Sequence, residues 1–492
     1  MSDRKGSIVL VQIDRYEDRG VDVFPFGILY VGSALHAAGH RVRLVHCTDV
    51  DMQSYVQQIA EEDPLFVGFS VMTGPQIVPS VEMSRQIKKA TKAPIVWGGP
   101  HPSLIPDQCV SEDYIDIVVA GEGEETSLDL ANALKNGQPL ADIPGLGYKD
   151  NGRPVLNPGR PFIKDLDRFQ TDFELIDVEK HLSHMSSPSG TVLDRVIALK
   201  TSRGCPFACT FCWNQTVHRR RWRAKSAEAV IAEIQWLKQH HGINGVKFFD
   251  DNFFVDTKRA FHILEAIGIP AQFEVRIDML TDEVARKLAE LGCLKIMIGM
   301  ESGSDKLLDE MKKGFHVADA KKGVLAAAKY HIPAIYSTMC GMPRESRREV
   351  QQTIDVMLWI SEVHKESRFT HGKYLPYPGT AMYSAALEVG FRPPDTTIGW
   401  GKMDRWVGSR MGQLLPWLDE DQVATIRDYF RLITIEQLGD LIRFRLKHIP
   451  RVFSRLERAA VSTIVYRLEK ADKTPWELGL MKVFAAVRLR RG

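Results

Sequence analysis

Val196-Ile197-Ala198-Leu199, followed shortly by Gly204-Cys205-Pro206-Phe207-Ala208-Cys209-Thr210-Phe211-Cys212-Trp213-Asn214, decides how the chain reads. The first four residues make a short apolar strand. The stretch after it spaces its cysteines C-x3-C-x2-C. Three thiolates on one short loop can face a single centre. A cube of four irons and four sulfides takes four external ligands. Three cysteines leave one iron open to a small chelating molecule, whereas a purely electron-carrying cluster has its sites filled by protein. The alternative is structural zinc, because His218 extends the pattern to C-x3-C-x2-C-x5-H. Against zinc stand Arg219-Arg220-Arg221, cationic neighbours poorly suited to a zinc shell.

Downstream, strand patterns at 246–249, 272–275, 295–298, 335–339 and 369–374 alternate with helix patterns at 227–240, 258–266, 282–291, 317–330 and 348–360. Six strand–helix units predict a partial (β/α)6 TIM-like barrel over 191–385. The unusual residues follow the strands, where such barrels collect their chemistry. Asp250-Asp251-Asn252 follows the second strand, Arg276 the third and Gly299-Met300-Glu301-Ser302-Gly303 the fourth. Gly341-Met342-Pro343 follows the fifth and Pro378-Gly379-Thr380 the sixth.

Upstream, residues 1–140 alternate in the same way. Strand runs at 8–11, 42–45, 65–70, 95–99 and 115–119 are separated by helix patterns such as 28–38, 81–90 and 126–136. This predicts an α/β domain built on a doubly wound parallel sheet of flavodoxin-like type. In open α/β sheets the ligand lies beyond the carboxyl ends of the strands. Those ends carry Met72-Thr73-Gly74, Gly98-Gly99-Pro100-His101-Pro102 and Gly121-Glu122-Gly123-Glu124. Residues 141–190 read as a linker with small ordered pieces, and 386–492 as a helical, basic C-terminal region.

With 492 residues, 44% hydrophobic and 26% charged, the chain is neither a disordered protein nor a small disulfide scaffold. A formal net charge of +2 gives no nucleic-acid footprint. No run of about 18 uncharged apolar residues predicts a membrane span. The start of the chain shows no signal-peptide pattern, so a cytoplasmic setting is expected. Seven cysteines, three within eight residues, suit that reducing compartment. Residues 441–492 hold thirteen Lys and Arg against four acids. They read as a solvated helical cap, or as peripheral membrane contact with anionic lipid, with Trp476, Leu478, Leu480, Met481, Val483 and Phe484 as apolar partners.

The cysteine spacing after a first barrel strand resembles the radical S-adenosylmethionine (radical SAM) superfamily. The N-terminal domain resembles the cobalamin-binding domain of one large subgroup. Pro25-Phe26-Gly27, Gly98-Gly99-Pro100-His101-Pro102, Gly121-Glu122-Gly123-Glu124, Asp250-Asp251-Asn252-Phe253, Gly299-Met300-Glu301-Ser302-Gly303 and Tyr377-Pro378-Gly379-Thr380 carry the likeness. Within the subgroup it points to the anaerobic magnesium-protoporphyrin ester cyclase and hopanoid-modifying members.

The resemblance implies three cofactors: a [4Fe-4S] cluster, S-adenosyl-L-methionine (SAM) and cobalamin. Cys205, Cys209 and Cys212 would hold the cluster, and reductive cleavage of SAM would yield a 5′-deoxyadenosyl radical. Phe211 would line the SAM adenine, unless it is ordinary core. Asp250, Asp251 and Asn252 would face the methionine moiety, or form an Asx turn or cap. Arg276 would hold a carboxylate, or pair with Glu274 or Asp278. Glu301 would bind the ribose or amine of SAM, or cap the helix near Asp305. Met72, Thr73 and Gly74 would lie beneath the corrin, with Gly98, Gly99, Gly121 and Glu122 lining it. His101 would contact the corrin or its nucleotide, or hydrogen-bond to backbone as a loop histidine. One departure is clear: the D-x-H-x-x-G motif is absent, and Tyr16 stands where its histidine belongs.

The expected reaction is methylation of an unactivated carbon. The alternatives are radical cyclisation or oxidation without methyl transfer, and a zinc-stabilised α/β binding protein. The expected partners are a small-molecule substrate, hydrophobic or lipid-like on the membrane reading, and an electron donor such as flavodoxin or ferredoxin. Nucleic acid is not among them.

Overall fold

The computed structural model describes residues 6–15, 24–186, 190–403, 415–420, 422–423 and 426. The basic stretch 441–492 and the position of Tyr16 lie outside the described residues. Two compact units divide the chain: Met1–Val275 with Glu290–Leu294 and Pro376–Val407, and Arg276–Ala289 with Lys295–Leu375 and Gly408–Gly492.

The first unit begins with a parallel sheet of β1 (Ile8–Asp14), β2 (Val42–Thr48), β3 (Phe66–Ser70), β4 (Ile95–Gly98) and β5 (Ile117–Val119). Its helices are α1 (Phe26–Ala37), α2 (Gln53–Glu61), α3 (Ile77–Ala90), α4 (Pro100–Leu104), α5 (Pro106–Ser111) and α6 (Gly123–Asn136). Every residue of β1 is buried, as a strand covered on both faces requires. Ile8, Leu10, Phe66, Val96, Ile117 and Val119 pack with Ile28 and Leu35 of α1 and Leu130 of α6. The 141–190 stretch extends this sheet. β6 (Leu146–Asp150) and β7 (Arg153–Leu156) add antiparallel strands, giving the order β2-β1-β3-β4-β5-β6-β7. Their turn is Asn151-Gly152, with φ of 48° and 80°, the left-handed pair that a tight hairpin needs.

The same unit continues with β8 (Ser183–Ser186), β9 (Val192–Leu199), β12 (Gly245–Phe248) and β13 (Ala271–Val275), paired in that order. The pairs β9–β12 and β12–β13 are parallel, and β8 is antiparallel to β9. Between β9 and β12 a short ribbon, β10 (Ser202–Arg203) with β11 (Arg223–Ala224), brackets the cysteine segment and α7 (Asn214–Val217). α8 (Ala227–His241) begins on Ser226, whose Oγ accepts from the Ala229 N–H at 3.1 Å, and α9 (Thr257–Ile267) begins on Asp256 in the same way.

In the second unit, β14 (Lys295–Glu301), β15 (Ala334–Cys340) and β16 (Ser367–Lys373) pair in parallel. α10 (Asp282–Glu290), α11 (Asp305–Glu310), α12 (Val317–Lys329) and α13 (Arg347–Val363) alternate with them. A capping box between Ser346 and Glu349 opens α13. α14 (Ala381–Glu388) and α15 (Thr397–Gly401) belong to the first unit. Among the described residues, no helix is long and apolar enough to cross a membrane.

Candidate functional site

The cysteine loop is shaped before its first cysteine. Gly204 has φ +81°, and a Cβ there would stand 2.2 Å from the Arg221 carbonyl oxygen, so only glycine fits. At the end of β12, fully buried Asp250 accepts from the Thr201 N–H (2.6 Å), the Thr201 hydroxyl (2.6 Å) and the Ser202 N–H (3.0 Å). Asp251 accepts from the Gly204 N–H at 3.1 Å and pairs with Lys200 at 3.7 Å. Asn252 accepts from the Phe254 N–H at 3.2 Å. Asn252 alone makes the local Asx-type contact, whereas Asp250 and Asp251 hold residues 201–204, some 47–49 positions away.

Cys205, Cys209 and Cys212 are half-buried, as is Phe211. The Cys212 N–H donates to the Cys209 carbonyl at 3.1 Å. Burial pushes the Cys212 thiol up to about 12, with Asn214 opposing and Cys209 and Asp251 reinforcing. A thiolate there needs a neutralising cation, as thiolate–metal ligation provides. Among the described residues, no group of three or more His, Cys, Asp or Glu is arranged to hold a single metal ion. His218 Nδ1 faces Arg223 Nη2 at 3.2 Å instead. A cube presents its irons at separate corners, so its ligands need not converge on one point as zinc ligands must.

A mainly apolar cavity of about 350 Å³ opens at the strand ends of the first sheet. Phe26, Ser70, Met72, Gly98, Gly99, Gly121 and Glu122 line one side. Lys200, Arg203, Trp213, Val217 and His218, flanking the cysteines, line another, with Phe162. Gly99 has φ +95°, and a Cβ there would lie 2.9 Å from the Val71 nitrogen. Deeper in, a Cβ on Gly68 would meet Leu10 Cδ2 at 2.7 Å. Both glycines are therefore required by close neighbours in the wall of the cavity. Met72 is 49% exposed at the mouth.

Thr73, Gly74 and His101 are not among the lining residues. His101 is buried; its Nδ1 lies 3.1 Å from the Thr73 hydroxyl, and its backbone N–H donates to the Val71 carbonyl. Burial pushes its pKa down to about 3. Its ring thus meets the Thr73 side chain rather than backbone, from a position inside α4 rather than in a loop. Asp14, the first position of the absent cobalt-ligand motif, binds His46 Nε2 and Gln76 Nε2, each at 2.5 Å. Gln76 in turn accepts from the Met72 N–H at 3.0 Å.

Glu122 faces the cavity, but its carboxylate is already engaged. It accepts from Arg203 Nη1 at 2.9 Å, from Arg223 Nη1 at 2.8 Å and from the Ile163 N–H at 2.8 Å. Arg203 also pairs with Glu124. Burial pushes the Glu122 carboxyl up, yet Arg203 and Arg223 more than offset it and hold it below the usual value. The two arginines form the β10–β11 pair, so β5 is tied directly to the base of the cysteine loop.

In the second unit, Arg276 donates from Nε and Nη2 to Asp278, at 3.0 Å each, and also to the Lys313 carbonyl. The ion-pair reading describes this arrangement. Glu301 sits at φ +63° at the end of β14 and accepts from Lys313 Nζ at 3.1 Å. The N-cap before α11 is Ser304, so Glu301 does not cap that helix.

A cavity at the strand ends of a parallel sheet is thus walled by residues on either side of the C-x3-C-x2-C segment, though by none of the cysteines themselves. Two family models match the chain: the Radical SAM superfamily over residues 199–357 and the B12 binding domain over 16–131. An uncharacterized methyltransferase of Pyrococcus horikoshii is 31% identical over 388 residues, 77% of this chain and 81% of that protein. The anaerobic magnesium-protoporphyrin IX monomethyl ester cyclase of a Synechocystis species is 24% identical, over 74% of this chain and 73% of its own. The solved structure of TsrM from Kitasatospora setae, a radical S-adenosylmethionine methyltransferase with cobalamin and a [4Fe-4S] cluster, matches with a TM-score of 0.62. Its identity is 20%, covering 79% of this chain and 80% of that one. The chain belongs to the radical SAM superfamily, in the branch that carries a B12-binding domain. The fold class expected from the sequence, a parallel sheet followed by a partial barrel, is the fold of that structural relative. The family's cofactors are the [4Fe-4S] cluster, SAM and cobalamin, and the zinc-stabilised binding protein is set aside.

Sequence reasoning missed Lys200, Arg203, Phe162 and the cavity role of His218. Arg203 and Glu122 are 81 positions apart, and nothing local in either segment announces the pair.

Proposed function

We propose that the chain is a cobalamin-dependent radical SAM methyltransferase that acts on an unactivated carbon of a small molecule. One observation carries this reading. A single cavity is walled by Gly98, Gly99 and Gly121 at the sheet ends and by Trp213 and His218 just beyond Cys212. A corrinoid seated there lies against the segment that bears the cluster ligands.

Bound together, the cluster, SAM and a corrinoid supply an electron, a hydrogen-abstracting radical and a transferable methyl group. The chain's own residues do the rest. Cys205, Cys209 and Cys212 would hold the cluster and would leave one iron open for SAM. Asp250 and Asp251 hold residues 201–204 so that the loop keeps one shape. Phe26, Met72, Trp213 and Phe162 give the cavity its apolar lining. Gly98, Gly99 and Gly121 admit a flat macrocycle close to backbone. The methyltransferase name of the Pyrococcus relative supports methyl transfer.

A one-electron donor of the flavodoxin or ferredoxin kind serves the cluster, in a reducing cytoplasm. The basic residues of 441–492, with Trp476, Leu478 and Phe484, support a lipid-like substrate met at an anionic membrane surface.

The test is anaerobic reconstitution with iron, sulfide and cobalamin, then incubation with reductant and methyl-deuterated SAM. Mass spectrometry should find 5′-deoxyadenosine and S-adenosylhomocysteine, with the label in a product. Cys209→Ala should form no 5′-deoxyadenosine. Unchanged formation in that variant overturns the ligand assignment, and product without label favours cyclisation or oxidation.

A further inference from the structure

His218 lies six residues past Cys212 and is 6% exposed. Its ring sits between Trp213 (5.4 Å) and Phe162 (6.2 Å). Its Nδ1 lies 3.2 Å from Arg223 Nη2. A guanidinium only donates, so Nδ1 must be the unprotonated, accepting nitrogen. The proton of the neutral ring is therefore on Nε2. Burial pushes the ring's pKa down to about 4, so at neutral pH it is uncharged. Nε2 has no hydrogen-bond partner among the described residues, and the side chain lines the cavity. Arg223 thus fixes which nitrogen donates, and the two aromatic rings fix where it points.

We propose that His218 Nε2–H is the donor that recognises a peripheral carboxamide of the corrinoid in this cavity; the proposal rests on the corrinoid reading given above. An N–H that opens on a mainly apolar cavity gains a protein-independent acceptor only when a ligand brings one. The nearby cations cannot replace it, since Lys200 is paired with Asp251 and Arg203 with Glu122 and Glu124. A neutral donor with no remaining acceptor selects a neutral carbonyl rather than an anion. The rim of a corrin ring is rich in such carbonyls.

Corrinoid affinity tests this without turnover. Cobalamin-free protein is titrated with hydroxocobalamin and followed by tryptophan fluorescence, for wild type, His218→Gln and His218→Phe. The Gln amide nitrogen can reach the position of Nε2; Phe keeps the ring and loses the donor. His218→Phe should weaken binding by about tenfold, the loss of one neutral hydrogen bond, while His218→Gln stays within about threefold. Equal affinity of the Phe variant and wild type overturns the proposal. So does a Gln variant as weak as Phe, which would make shape rather than donation decisive. A wild type that binds no corrinoid overturns the cavity reading itself, a distinct outcome. Independently of any variant, the ¹⁵N resonance of His218 Nε2 should move when cobalamin binds; an unmoved resonance also overturns the proposal.

Discussion

Arg203, two residues ahead of Cys205, donates to Glu122 at 2.9 Å and so joins the base of the cysteine loop to the end of β5. The pair is part-buried, at 17% and 8% side-chain exposure. Removing the Glu122 charge takes the acid partner from Arg223 while Arg203 keeps Glu124, at a cost of about 1–3 kcal/mol. Glu122→Gln should lose roughly that much stability at pH 7 and weaken both cobalamin and cluster retention. The Glu122 carboxyl is held below its usual value in the folded state. Its contribution is therefore present above the ordinary glutamate pKa of about 4.3 and is lost as pH falls through the lower folded value. Denaturant unfolding from pH 7 to pH 3.5 should fall more steeply for wild type than for the variant.

Asp250 should behave as a structural group. Its oxygens take two backbone N–H groups and a hydroxyl in the dry interior. Asp250→Ala strands those donors, at about 1–3 kcal/mol each in the worst case. The expected result is a lowered melting temperature even without cofactors, with reduced iron uptake. An unchanged melting temperature combined with weakened SAM binding would return Asp250 to a ligand role.

Much of the architecture was legible because it is written locally. Apolar runs such as Ile8-Val9-Leu10-Val11 and the C-x3-C-x2-C spacing need no partner elsewhere to be read. The Asn151-Gly152 hairpin was equally local, but the surrounding Pro, Gly and Asp masked it as linker. Side-chain commitments were not legible. Glu122 stands at a ligand-binding strand end, and only the fold reveals that Arg203 and Arg223 occupy its oxygens. His218 followed cysteines at a zinc-like spacing, while its Nδ1 was destined for an arginine eleven residues past Cys212.

Gly99 and Gly121 separate strain from crowding. Both have φ of +95°, but a Cβ meets Val71 at 2.9 Å from Gly99 and nothing within 4 Å from Gly121. Gly121→Ala should cost about 1–2 kcal/mol from backbone strain alone. Gly99→Ala should cost more, about 3 kcal/mol, because backbone must also move. Thermal unfolding of the two variants measures the difference, and equal losses would remove the crowding argument.

In the second unit, buried Glu345 accepts from the Gly341 and Met342 N–H groups at the end of β15. Burial pushes its carboxyl up to about 7, against the pull of those two hydrogen bonds. The folded unit therefore keeps this proton where an unfolded chain has lost it. The contribution is fully present below about pH 4.3 and is lost as pH rises through about 7. Wild type should lose up to about 3 kcal/mol between pH 5 and pH 8 from this group. Glu345→Gln should flatten that part of the stability profile, and a profile identical to wild type would refute the assignment.

The central claim is that Cys205, Cys209 and Cys212 carry a cluster beside a corrinoid cavity. Metal content of anaerobically reconstituted, desalted protein tests it most directly. The account predicts about four irons with matching sulfide and about one cobalt per chain, with the iron lost and the cobalt kept in Cys209→Ala. One zinc with no iron, or iron unchanged in that variant, would contradict it.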